Sequence, residues 1–163
     1  MRACRGQALE AGAPLCAWER AASTYAELQV ASTAHANRLH ALGCRLRGPL
    51  ELRTLVGPLL SDKPVLLGAG AYGLSLDELR RLHRLRMGLE AACYGLADSS
   101  LPLALEHGDL WSSSVYVSDS EVAFIDWTDA SLSHPFFSLM PLLQSAQMGP
   151  GPGQCANRSV PHD

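Results

Sequence analysis

Residues 105–139 read LEHGDLWSSSVYVSDSEVAFIDWTDASLSHPFFSL, and the parsing of that stretch decides the fold. Val115-Tyr116-Val117 and Val122-Ala123-Phe124-Ile125 are short β-branched and aromatic runs flanking Ser118-Asp119-Ser120-Glu121. The pattern predicts a tight hairpin with a four-residue loop. If Val117 faces Val122, the same register sets Asp126 beside Ser113 and Ser114, with Asp109 one short loop away. Two carboxylates then share one pocket mouth. Such a pair can divide labour, one taking a proton from a hydroxyl nucleophile while the other holds a divalent metal on a phosphate. Mg²⁺ suits that role, because it takes one or two carboxylates plus substrate phosphates. On these residues alone, turn-capping or surface carboxylates explain the pair equally well.

Outward from this stretch the chain is helical. Residues 18–43 carry Trp18, Ala21, Ala22, Tyr25, Leu28, Leu39 and Leu42 at three- and four-residue steps, and Gly43 stands where a helix would end. Gly48-Pro49 and Gly57-Pro58 bracket a short helix within 46–60. Over 75–94, Ser75 and Glu78 form a capping box, and Leu76, Leu79, Leu82, Leu85 and Leu89 make one apolar stripe. Arg80, Arg81, Arg84 and Arg86 lie largely off that stripe, as a solvated face. A last helix is expected around Phe136–Gln147. From Met148, MGPGPGQCANRSVPHD has no apolar period and reads as a disordered tail. One domain over 1–147 and a tail over 148–163 follow.

With 163 residues and 47% apolar content, the chain can bury one core. Its net charge of −3 disfavours a nucleic-acid binder. Of 13 basic residues only Lys63 is a lysine, so chemistry that needs a lysine must use Lys63 or import one. Five cysteines, an odd number without a C-x-x-C pair, argue against a zinc framework or a secreted disulfide scaffold. Reduced thiols in a cytoplasm are the simplest reading. No signal peptide, transmembrane helix or membrane partner is expected.

HGDLWSSS followed by FIDWTDA and SHPFFSL resembles the aminoglycoside phosphotransferase family, small-molecule kinases with a protein-kinase-like fold. The family pattern is H-G-D-x-x-x-x-N, a β-hairpin, then I-D-W or I-D-F. The match is close over Leu105–Leu139, and the helices at 18–43 and 75–94 fit the C-terminal lobe loosely. The resemblance implies an α+β, mainly helical chain: a protein-kinase-like C-terminal lobe with a catalytic-loop β-hairpin, and without the N-terminal lobe. It also implies ATP-dependent phosphoryl transfer to the hydroxyl of a small molecule, with Mg²⁺. Asp109 matches the aspartate that accepts or orients the acceptor's proton. Asp126 matches the metal-binding aspartate that bridges Mg²⁺ to the nucleotide phosphates. Ser114 stands at the second metal and nucleotide position. His107 and Gly108 shape the catalytic loop. Trp127 reads as core, and Asp129 as a positioning group or the cap of a following helix.

The chain departs from the family pattern in three ways. Ser114 replaces the asparagine that supplies an amide oxygen to the metal. Ser138 replaces an aspartate that braces the catalytic loop's backbone. The strand lysine of a nucleotide-binding lobe has no counterpart, since Lys63 lies between predicted helices. Gly68-Ala69-Gly70-Ala71-Tyr72-Gly73 formally matches G-x-G-x-x-G, but no alternating β–α series follows, and a plain connector is the default. These departures leave two further readings. One is a catalytically inactive, pseudokinase-like lobe or gene remnant. The other is a metal-dependent hydrolase using His107, Asp109, Asp126 and His134.

Overall fold

The computed structural model describes residues 6–10, 12–68 and 73–148. Two small three-stranded sheets sit among seven helices in this part of the chain. The long helix α1 (Leu15–Thr33) runs across both. Its inward face is Trp18, Ala21, Tyr25, Gln29 and Ser32. Trp18, Ala21 and Tyr25 join Leu9, Leu110, Val115 and Leu142 in the main core, with Phe124 and Trp127 packed against it. Burying such side chains removes apolar area from water, the main favourable term in folding. The second half of the same face is polar, and it faces the stretch that contains the HGD sequence.

α1 ends at Thr33, earlier than the apolar period predicts. The Ser32 and Thr33 hydroxyls donate back to the carbonyls of Gln29 and Val30, competing with the helix's own N–H groups. The chain re-enters a helix as α2 (Ala36–Ala41). Gly43 then closes it with φ +99°, and the Cys44 N–H reaches back to the Leu39 carbonyl.

The expected break at Gly57-Pro58 does not occur. α3 (Pro49–Ser61) continues through it, with Pro58 inside the last turn. Proline lacks a donor, but near a helix end only one bond is lost. The one-turn α4 (Lys63–Leu66) follows, its first turn capped by the Asp62 carboxylate. The Leu74 N–H meets the Leu66 carbonyl across the glycine-rich connector, whose residues 69–72 lie outside the described residues.

The predicted 75–94 helix is two helices, α5 (Leu76–Arg84) and α6 (Arg86–Ala97), with a tightened turn at Leu85. Both halves of the Ser75–Glu78 capping box are formed. The leucine stripe packs less than its period suggests. Leu79 is buried, whereas Leu76, Leu85 and Leu89 are exposed. α6 packs on α3 instead, where the Arg53 guanidinium lies 4.8 Å above the Tyr94 ring.

The hairpin forms as expected. β4 (Val115–Val117) pairs antiparallel with β5 (Val122–Phe124), Val117 opposite Val122. The four-residue loop is closed by the Ser118 N–H on the Glu121 carbonyl at 2.9 Å. β1 (Gln7–Ala8) adds to the other edge of β4. The second sheet has β6 (Ser131–Ser133) between β2 (Arg45–Leu46) and β3 (Ala104–Glu106), parallel to the former and antiparallel to the latter. The final helix α7 (Leu139–Gln147) starts after a turn at Pro135–Ser138. Of the predicted tail, 148–163, only Met148 belongs to the described residues. Among the described residues no helix is long and apolar enough to cross a membrane. Cys44 and Cys93 are free thiols, but Cys16 is disulfide-bonded, which corrects the expectation of reduced thiols throughout.

Candidate functional site

The site is built on the link between β3 and the hairpin. Three residues on the polar half of the α1 face hold β3 and the loop after it. The Ser32 hydroxyl accepts the Leu105 N–H at 2.8 Å, and the Tyr25 hydroxyl accepts the His107 N–H at 2.9 Å. Between them, the Gln29 amide donates to the Glu106 carboxyl and, at 2.7 Å, to the Pro135 carbonyl. One helix face thereby fixes the strand, the loop and the β6–α7 connection together.

His107 is fully buried. Its Nε2 lies 2.7 Å from the Ile125 carbonyl, an acceptor, so that nitrogen carries the proton. Nδ1 then accepts the Asp109 N–H, at 3.4 Å. The ring also lies against Trp127, with centroids 4.7 Å apart. With both nitrogens engaged, His107 is a strut between the HGD loop and the IDW turn. Trp127 is half-buried in the core, and its indole N–H is satisfied by the Phe124 carbonyl.

Gly108 has φ +85°, and a Cβ there would lie 2.6 Å from the Asp129 carbonyl oxygen. Only glycine allows so close a backbone approach at that angle. The Gly108 N–H donates to the Ser138 hydroxyl at 3.1 Å. Ser138, where the family pattern has an aspartate, therefore receives the HGD loop's backbone. A second brace comes from α7, where the Ser145 hydroxyl accepts the Ser112 N–H. Asp129 caps no helix, because the chain enters β6 directly after it.

Asp109 and Asp126 are both exposed, and no ion pair among the described residues involves either. Asp126 has φ +63°, the left-handed region that non-glycine residues seldom occupy. Its Oδ1 accepts the Thr128 hydroxyl at 2.8 Å. The Ile125 N–H donates to the Ser114 carbonyl, so the hairpin register extends to its base and sets Asp126 next to Ser113 and Ser114. The structure thus brings Ser114, Asp126 and the His107–Asp109 loop to the same end of the hairpin. Asp126, an exposed carboxylate without an ion-pair partner among the described residues, offers the hard oxygen donors that Mg²⁺ takes.

The metal-hydrolase set does not assemble. No group of three His, Cys, Asp or Glu suited to a metal occurs among the described residues. His134 is buried, with Nε2 near the Ser99 hydroxyl and Nδ1 accepting the Phe136 N–H. Lys63 is also elsewhere, lining a basic surface depression with Arg80, His83 and Arg84.

The sequence marks Tyr25 only as part of an apolar helix face and gives no role to Gln29 or Glu106. Glu106 is 1% exposed. Burial pushes its carboxyl up to about 7, against bonds from Ser138 and Gln29 that lower it. Burial, then the nearby Glu106 charge, push the Tyr25 hydroxyl up to about 12. One signal was available: the β3 alternation buries Ala104 and Glu106 on the same side. A strand's inward position filled by glutamate implies partners for it.

The phosphotransferase enzyme family matches residues 5–158. No curated protein matches. Among solved structures, a macrolide 2'-phosphotransferase, MphH from Brachybacterium faecium, is similar at 20% identity with a TM-score of 0.52, covering 94% of this chain and 52% of that one. A choline/ethanolamine kinase family protein from Mesorhizobium loti is similar at 18% identity and TM-score 0.49, covering 91% and 51%. The chain thus spans about half the length of these structures. The first likeness gives a kinase-like phosphotransferase fold with mixed helices and small sheets. With the family match over most of the residues, the HGD loop and the IDW turn place this chain in the phosphotransferase enzyme family.

Proposed function

We propose that this chain carries the acceptor-side part of a small-molecule kinase that moves the ATP γ-phosphoryl group to a hydroxyl. The observation that carries this reading is the His107 strut. It ties the Asp109 loop to the Asp126 turn and leaves both carboxylates exposed and unpaired. Asp109 orients the acceptor hydroxyl and takes its proton. Asp126, with the Ser114 hydroxyl beside it, would hold Mg²⁺ on the nucleotide phosphates. Bound Mg²⁺ supplies neutralisation of charge on the phosphate oxygens. His107 holds the loop and moves no proton, since both its nitrogens are committed. The acceptor is a small molecule rather than nucleic acid or a membrane, in keeping with the −3 net charge.

Phosphoryl transfer depends on positioning and charge stabilisation, so a full phosphate cradle is needed. Lys63 lies away from the site, and the missing grip belongs to an N-terminal lobe outside this chain. Titration calorimetry with ATP, with and without Mg²⁺, tests the assignment. Asp126→Gly, which tolerates the left-handed backbone, should weaken Mg²⁺-dependent binding at least tenfold. Equal binding by the variant sinks the role of Asp126. Ser114 at the asparagine position favours a second reading, a non-catalytic pseudokinase-like lobe. Sustained ATP turnover by the purified chain would exclude that reading, and nucleotide binding without turnover would support it.

A further inference from the structure

We infer that Glu106 is a positioning residue for the catalytic loop, its buried carboxyl holding Ser138 so that the Ser138 hydroxyl receives the Gly108 N–H. The name catalytic loop rests on the phosphotransferase reading, but the mechanical role does not. The chain of contacts is continuous. The Glu106 carboxyl accepts the Ser138 N–H at 2.7 Å and the Gln29 amide. Ser138, 1% exposed, accepts the Gly108 N–H, and Gly108 immediately precedes Asp109.

A serine is shorter than an aspartate and carries no charge. Alone, its hydroxyl would rotate freely between acceptors. An ionised Glu106 accepts hydrogen bonds and donates none. By accepting the Ser138 N–H it fixes the backbone from which that hydroxyl meets the Gly108 N–H. A carboxylate one residue before the histidine thus acts through the serine as a brace from outside the loop.

Protonation changes the arrangement. Glu106 then has an O–H to donate, and the nearby oxygens of Ser138 and Tyr25 are its acceptors. Donation to the Ser138 oxygen adds a second donor there, turning the hydroxyl and altering its bond from the Gly108 N–H. The titratable groups around Glu106 are Tyr25 from α1, His107 on the loop and His134 at the end of β6. Its direct partners, Gln29 and Ser138, are neutral. Burial places its midpoint near 7, so the brace responds to pH in the ordinary working range.

Amide NMR of the full chain between pH 5.5 and 8.5 tests this. The Gly108 and Ser138 amides should shift together with one midpoint near 7. Glu106→Gln should abolish the step at both while the β4–β5 hairpin amides stay in place. Ser138→Ala keeps the backbone N–H that Glu106 binds. It should retain the step at residue 138 and lose it at Gly108, and it carries the test should Glu106→Gln not fold. The inference fails if Gly108 shows no step in the unmodified chain, if the step persists in Glu106→Gln, as a histidine source would make it, or if Ser138→Ala leaves the Gly108 step intact. Failure of the phosphotransferase reading would appear separately, as absent Mg²⁺–ATP binding with these steps unchanged.

Discussion

Asp126 carries two burdens, an unfavourable backbone angle and a proposed metal role. A non-glycine residue in the left-handed region costs about 1–2 kcal/mol, less for Asp and Asn, whose side chains bond locally. Here the Thr128 hydroxyl supplies such a bond. Strain retained at an exposed carboxylate suits a functional position, where geometry outweighs stability. Two substitutions separate the burdens. Asp126→Ala and Asp126→Gly both remove the carboxylate and the Thr128 bond, and only alanine keeps the angular penalty. The alanine variant should be less stable than the glycine variant by about 1 kcal/mol in urea unfolding. Equal midpoints would mean that the turn relaxes and stores no strain. Gly108 gives the converse case. Alanine there meets a backbone oxygen at 2.6 Å, which no side-chain rotation relieves. Gly108→Ala should displace the loop, seen as altered amide shifts at His107 and Asp109, and abolish Mg²⁺-dependent nucleotide binding.

Among the elements, α5 is held mainly by its own ends. It buries only Leu79, and its Ser75–Glu78 box satisfies first-turn donors. The backbone and side-chain bonds from Ser75 hold the Glu78 carboxyl below its ordinary value. Ser75→Ala should cost about 1 kcal/mol, with faster hydrogen exchange confined to α5. Exchange that rises equally in α1 would show the cap to be coupled to the core. This box, the Gly43 closure and the hairpin were legible in the sequence because each depends on residues within a few positions. The HGD and IDW stretches were legible for the same reason, as was their meeting at the hairpin base. The two-residue strands β1 and β2 were not, since their pairing is specified by distant partners and by no periodicity of their own. The helix breaks at Ser32–Thr33 and Leu85 were hidden because apolar spacing runs through them. Gln29 and Glu106 lie 77 positions apart, and only the packing of α1 on β3 makes them neighbours. Ser138 was noticed as a substitution, but its hydroxyl's bond to Gly108 depends on the turn before α7.

For the molecule as a whole, the buried Glu106 sets a cost that varies with pH. Its ordinary value is 4.5, and in the folded chain it is pushed up to about 7. Between those values the folded state holds a proton that the unfolded state has released. Stability from this group is therefore fully present below about 4.5 and is lost as pH rises towards 7. The difference amounts to something on the order of 3 kcal/mol. That is a large share of the roughly 5–15 kcal/mol that holds a domain together. A core designed for stability alone would place an apolar residue at this inward position of β3, so keeping a carboxyl there accords with its work on the loop. Tyr25 adds nothing in this window, because its hydroxyl, pushed up to about 12, stays neutral throughout. Glu106→Gln keeps the shape and removes the titration. Urea unfolding at pH 5 and pH 7.5 should show the unmodified chain losing stability relative to Glu106→Gln as pH rises, by about 2 kcal/mol in the difference. Parallel behaviour of the two proteins would mean that water or a local opening solvates the carboxyl, and that its burial costs the fold little.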